Sequence, residues 1–178
     1  MTIKPTGEDY DNMAKLAQSI LLDYGFYTFP IDGNALACKI GMRLIPYSSL
    51  SVKQMECLLQ KTGTEKGITV SRQHQGKISY DTYYNDEFSE AACRFTIAHE
   101  IKHIVAGDCI KNEADLSECD EVLADYFAKC LLAPQAIIIK DEIEFPEEHM
   151  NYFGLSRQAA LIWSNAVKNR RNKFGSKG

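Results

Sequence analysis

The sequence predicts an α+β domain, mostly helical, with a small antiparallel β-sheet beside a central helix. Three observations predict it. Apolar residues recur at helical spacing in four stretches of the chain. One segment, Gly67–Asn85, alternates β-branched and aromatic residues with polar ones around Gln75-Gly76, the pattern of two antiparallel strands joined by a turn. The chain has 178 residues, 45% hydrophobic and 25% charged, which suits one core rather than several.

From Glu8 to Tyr24, Met13, Leu16, Ala17, Ile20 and Leu21 form a helical stripe that Gly25 and Pro30 stop. Asp32 is placed to cap a short helix through Ala35, Leu36 and Ile40, and Gly41 closes it before the strand-like run MRLIPY. Residues 51–60 predict another short helix, and the hairpin follows. A helix over Ser89–Ala106 ends at Gly107-Asp108. Ser117, with Asp120 three residues on, resembles a capping arrangement for a helix over Glu118–Leu132, which stops before Pro134. The acidic, proline-interrupted segment 141–148 reads as a solvated loop. Gly154-Leu155-Ser156 then opens a last helix with Ala159, Ala160, Ile162, Trp163, Ala166 and Val167 on its apolar side. The basic end, KNRRNKFGSKG, is expected to fray. No internal repeat is found.

A formal charge of −4 and a pI near 5.6 argue against a surface built mainly to hold nucleic acid or anionic lipid. No apolar run approaches the roughly 18 residues of a membrane span, and the start, MTIKPTGEDYDN, lacks the apolar stretch of a secretory signal. A cytoplasmic protein without membrane contact is expected. The six cysteines are far apart and form no CxxC pair, so they are read as free thiols packed as small hydrophobes.

The chemistry is concentrated in FTIAHEIKH, residues 95–103. Residues four apart on a helix share a face, so His99 and His103 can reach one ion. Zinc accepts imidazole nitrogen and prefers four ligands, so a third protein ligand must come from elsewhere. Glu100 points to an adjacent angle, where it can act as general base on a water that zinc has made more acidic. The five-letter motif alone is weakly specific, because an amphipathic helix can show it by chance. Phe95, Ala98, Ile101, Ile104 and Val105 surround the two histidines with apolar groups, and two close buried imidazoles need a partner.

For the third ligand, a further histidine three residues after a glycine is absent: those positions hold Ala106 and Cys109. Asp108, at the end of the motif helix, is expected to turn outward. The helix DEVLADYFAKCLLAP offers Glu121 and Asp125 on one face, with Val122, Leu123, Phe127, Leu131 and Leu132 as packing surface. Glu121 is assigned to the metal and Asp125 to the second ring nitrogen of a ligand histidine.

RFTIAHEIKH followed by ExxADxFAxxLLAP resembles the ImmA/IrrE family of short HExxH zinc metallopeptidases, with patterns RFTxAHExGH and ExxANxFAxxLLMP. The likeness runs more loosely from Pro30 to Val167, through LACKIGMRLIPY upstream and FGLSRQAA downstream. It implies a zincin-like fold, zinc held by His99, His103 and Glu121, and Glu100 as base. It further implies an endopeptidase whose protein substrate is a DNA-binding transcriptional repressor of a phage, mobile element or stress response. Lys102 stands for the pattern's Gly, Asp125 for Asn and Ala133 for Met, and Lys102 is expected at the edge of the cleft.

The chain is therefore divided as one metallopeptidase domain over 1–178: an N-terminal helix over 1–29, a catalytic core over 30–140, an acidic loop and C-terminal helix over 141–170, and a flexible tail over 171–178. Two rival readings stand beside it. One is a metal-containing module that docks on a regulator without hydrolysing it. The other is a DNA-binding regulator using FGLSRQAALIWSNAVKNRR, opposed by Leu161, Ile162 and Trp163, which read as packing residues. His74 and His149 are expected at the surface, with approach of His149 to the cleft as the alternative. Tyr80, Tyr83, Tyr84 and Tyr126 are left outside the site.

Overall fold

The computed structural model describes residues 4–62, 66–110 and 117–175. Helix α1 (Gly7–Tyr24) opens on a capping box in which Thr6 accepts from the Asp9 N–H and the Asp9 carboxylate accepts from the Thr6 N–H. It ends where Gly25 takes φ 75°, a left-handed conformation that costs glycine nothing. The Asp32 carboxylate accepts from the N–H groups of Asn34 and Ala35 and so starts α2 (Gly33–Ile40), which Gly41 closes. Strand β1 (Met42–Pro46) and a 3₁₀ turn lead to α3 (Val52–Thr62).

Strands β2 (Gly67–His74) and β3 (Lys77–Tyr84) form the expected antiparallel hairpin. Its turn has positive φ at both Gln75 and Gly76, which matches the twist of the strands. The sheet is mixed rather than wholly antiparallel: β1 pairs with β3 in parallel, giving the order β1-β3-β2. At its centre Asp81 is 2% exposed and accepts from Arg43 at 2.7 Å, and it pairs with Arg72 at 2.8 Å.

Helices α4 (Glu90–Val105) and α5 (Glu118–Leu132) pack on each other beside this sheet, and α1 lies on α5. Gly67 of β2 lets the sheet approach α4 closely: a Cβ there would meet Thr96 Cγ2 at 2.5 Å and the Tyr83 carbonyl at 2.9 Å. The core joins Ile31, Leu36, Ile101, Phe127, Leu131 and Ile138 from five segments. Among the described residues no helix is long and apolar enough to cross a membrane.

The end of the chain departs from expectation. Helices α6 (Gln135–Lys140) and α7 (Pro146–Phe153) occupy the region read partly as a loop, with Pro146 in the first turn, where its missing N–H costs no hydrogen bond. Helix α8 (Arg157–Gly175) carries most of the basic end; residues 176–178 of the expected tail lie outside the described residues. On α8, Trp163 is buried and its Nε1–H donates to the Ala133 carbonyl at 2.8 Å, but Leu161 and Ile162 are exposed. Their neighbour on the sequence packs while they face solvent, because a helix buries one stripe. Val122 is likewise exposed on α5. Cys38 and Cys57 are exposed and only Cys130 is buried among the cysteines. His74 is exposed as expected, whereas His149 is fully buried against Phe153.

Candidate metal centre

Ser89 caps α4 by accepting from the Ala92 N–H, and the helix carries His99 and His103 one turn apart. Ser117 and Asp120 cap α5 reciprocally, which puts Glu121 in its first turn and Asp125 one turn later, both facing α4. The Nε2 atoms of His99 and His103 are 3.2 Å apart. Glu121 Oε2 is 3.3 Å from His99 Nε2, and Glu121 Oε1 is 3.4 Å from His103 Nε2. Two ligands at about 2.0–2.1 Å from a tetrahedral zinc are separated by about 3.3–3.4 Å, so the three donors span a face of the right size. The donor set is two imidazoles and a carboxylate, and the group could hold a metal.

Each ring is braced from behind. Asp125 Oδ1 lies 2.9 Å from His99 Nδ1, and Asp108 Oδ2 lies 3.2 Å from His103 Nδ1. An ionised carboxylate only accepts, so both Nδ1 atoms donate to it and both Nε2 atoms are turned towards the place an ion would take. Burial works against charge on His99, but hydrogen bonds to Asp125 and Glu121, and the charge of Glu100, outweigh it and push its pKa up to about 9. The same His99 hydrogen bonds hold Glu121 and Asp125 below the ordinary carboxylate range, against the effect of burial.

Glu100 is 7% exposed, on the adjacent angle of α4. Its charge reaches Tyr47, whose hydroxyl is raised first by burial and then by that carboxylate. Burial, then the charges of Glu100 and Asp108, push the Cys109 thiol up to about 12, so it stays protonated.

Two expectations are corrected here. Asp108 turns inward, not outward: Gly107 takes φ 74°, reverses the chain after α4, and buries Asp108 in a 3₁₀ turn beneath His103. Lys102 is not at a cleft edge but 2% exposed, its Nζ 2.5 Å from Asp108 Oδ2. Sequence reasoning missed both roles. The signals available were the acidic residue following Gly107 and a lysine on the apolar side of a buried helix. His149 lies in the core, and its two ring nitrogens have no hydrogen-bond partner among the described residues.

A sequence model of the IrrE N-terminal-like domain, Peptidase_M78, matches residues 56–162, more than half of the chain. The chain belongs to this family. As a Peptidase_M78 member it carries a metallopeptidase-type domain, and the matched span contains α4 and α5 with the whole three-donor group. No curated protein matches it. The fold of this Peptidase_M78 chain is similar to that of a Mycobacterium tuberculosis transcriptional regulator, with a TM-score of 0.55 and 14% identity. That similarity covers 84% of this chain and 45% of the regulator, so the chain spans less than half of its length.

Proposed function

We propose that the chain is a zinc-dependent endopeptidase that cuts a regulatory protein, a DNA-binding transcriptional repressor. The observation that carries this reading is the triangle of His99 Nε2, His103 Nε2 and a Glu121 oxygen, with edges of 3.2–3.4 Å, next to a buried glutamate. His99, His103 and Glu121 would hold the ion. Zinc, when bound, supplies a Lewis acid that polarises the scissile carbonyl and makes the attacking water more acidic. Glu100, buried on the adjacent angle of α4, would take a proton from the attacking water and return it to the leaving amine. Asp125 and Asp108 fix ring orientation and turn each Nε2 to the metal side. The repressor as substrate rests on the family resemblance, and a fold shared with a Mycobacterium tuberculosis transcriptional regulator is in keeping with a regulatory setting.

The test incubates purified, zinc-loaded protein with the repressor encoded beside its gene and reads fragments by mass spectrometry. Cleavage at one or few sites is expected, abolished by chelation and reduced at least about a hundredfold by Glu100→Gln, which keeps the ion but loses the base. An intact repressor that is bound equally by the unaltered protein and Glu100→Gln would replace hydrolysis with docking.

A further inference from the structure

We propose that Lys102 is a positioning residue of the metal centre, a counter-cation that aligns His103 and Glu121 before the ion arrives. The proposal rests on the zinc-site reading above. Lysine is almost never fully buried unless paired, and here the ammonium is paired on two elements at once. Its Nζ lies 2.5 Å from Asp108 Oδ2, in the turn after α4. It also donates to the Asp120 carbonyl at 3.2 Å, in the first turn of α5, and lies 3.7 Å from Asp120 Oδ1.

Both attachments lead to the ligands. Asp108 Oδ2 is shared between Lys102 Nζ and His103 Nδ1, so the ammonium holds that carboxylate in place under the ring. Asp120 immediately precedes Glu121, so anchoring its carbonyl fixes the backbone from which Glu121 reaches the rings. Glu121 itself is half exposed and has little packing to hold it. Asp108, Asp120 and Glu121 bring three carboxylates within reach of this ammonium's charge. A buried cation among them offsets their repulsion while no metal is bound. A glycine or an apolar residue at 102 could do none of this.

The test compares the unaltered protein with Lys102→Met, Asp108→Asn and the double variant. Three quantities are read: metal-free melting temperature, zinc affinity by chelator competition, and the visible absorption of the cobalt-substituted site. Lys102→Met is expected to lower the metal-free melting temperature, because it removes the ammonium that faces the buried Asp108 carboxylate, and to weaken zinc binding about tenfold or more. In the double variant the melting temperature recovers, while zinc affinity and the cobalt spectrum stay altered. Recovery of affinity and spectrum together with stability, or zinc binding by Lys102→Met equal to that of the unaltered protein, overturns the proposal. If Lys102→Met alone does not fold, the double variant is compared with Asp108→Asn: weaker zinc binding in the double variant is expected, and equal binding in the two overturns the proposal. Failure of the unaltered protein to bind zinc or cobalt overturns the metal-centre reading itself and takes this proposal with it.

Discussion

Replacing Asp125 measures how far the carboxylates behind the rings set metal affinity. Asp125 Oδ1 sits 2.9 Å from His99 Nδ1, a charge-assisted hydrogen bond of the kind worth roughly 1.5–3 kcal/mol. Its side chain is 52% exposed, so in Asp125→Ala water replaces part of that interaction and the lower end applies. The expected cost is about 1.4 kcal/mol, a zinc affinity about tenfold weaker. Asp125→Asn keeps an acceptor oxygen in place and drops only the charge, so its cost is about threefold.

The deficit depends on pH, with a sign that the His99 shift dictates. Burial disfavours the charged ring, but Asp125, Glu121 and Glu100 together raise its pKa from 6.5 to about 9. A raised histidine stabilises the metal-free fold fully below its unfolded pKa, and that contribution is lost as pH rises through about 9. Below about 9, therefore, a proton occupies the nitrogen that zinc needs, and zinc affinity of the unaltered protein falls by up to about tenfold per pH unit. Asp125→Ala lowers this pKa and weakens the competing proton, so its affinity deficit is largest near pH 9 and shrinks towards pH 7. Competition against a chromophoric chelator at both pH values reads the effect. The same deficit at the two values, or none for alanine, refutes the reasoning.

Glu121→Ala should remove most zinc-dependent stabilisation. At free zinc about a hundredfold above its dissociation constant, binding adds about 2.7 kcal/mol, which raises the melting temperature of a chain this size by roughly 5–11 °C. Calorimetry of the variant should show a rise below about 2 °C. Gly67→Ala should destabilise by about 1–3 kcal/mol in urea, since its Cβ would overlap Thr96 Cγ2 and the Tyr83 carbonyl. Adding Thr96→Ser, which deletes the methyl, should return part of that loss; no recovery would place the conflict elsewhere. The Arg43 hydrogen bond, opposed by burial and helped by the charges of Arg72 and Arg43, lowers the pKa of Asp81. A depressed carboxylate stabilises above its unfolded pKa, here near 3.8, and loses that contribution as pH falls through the folded value. Asp81→Asn should therefore be less stable than the unaltered protein by an amount that is constant from pH 5 to 8 and shrinks below about pH 4. A difference that persists undiminished in acid would contradict this account.

Helix ends were legible in the sequence wherever one side chain closes them. Asp32, Ser117 and Gly41 are visible as caps because capping is settled within three residues. The hairpin was legible because its turn joins adjacent strands. The parallel pairing of β1 with β3 was not, since the partners are separated by α3 and β2 and no local residue encodes the choice. Helices α6 and α7 were missed for another reason. QAIIIK is too short to show a period, and Pro146 breaks a helix interior yet is well suited to a first turn.

At the site, what could be read was whatever helical spacing fixes. His99 with His103, and Glu121 with Asp125, are each four apart, so the helix alone puts each pair on one face, and the structure brings His99, His103 and Glu121 together. Asp108 breaks that logic. Extrapolating α4 turns it outward, but one positive φ at Gly107 folds the chain back and buries it beneath His103. The two ring supports thereby differ: Asp108 is enclosed and ion-paired to Lys102, whereas Asp125 is half in water. A carboxylate that water can replace holds its ring loosely, and an enclosed one holds it firmly. His103 is thus the fixed point of the centre and His99 the adjustable one. That ordering requires Asp108→Asn to weaken zinc binding more than Asp125→Asn does, although the longer of the two hydrogen bonds is the one to Asp108.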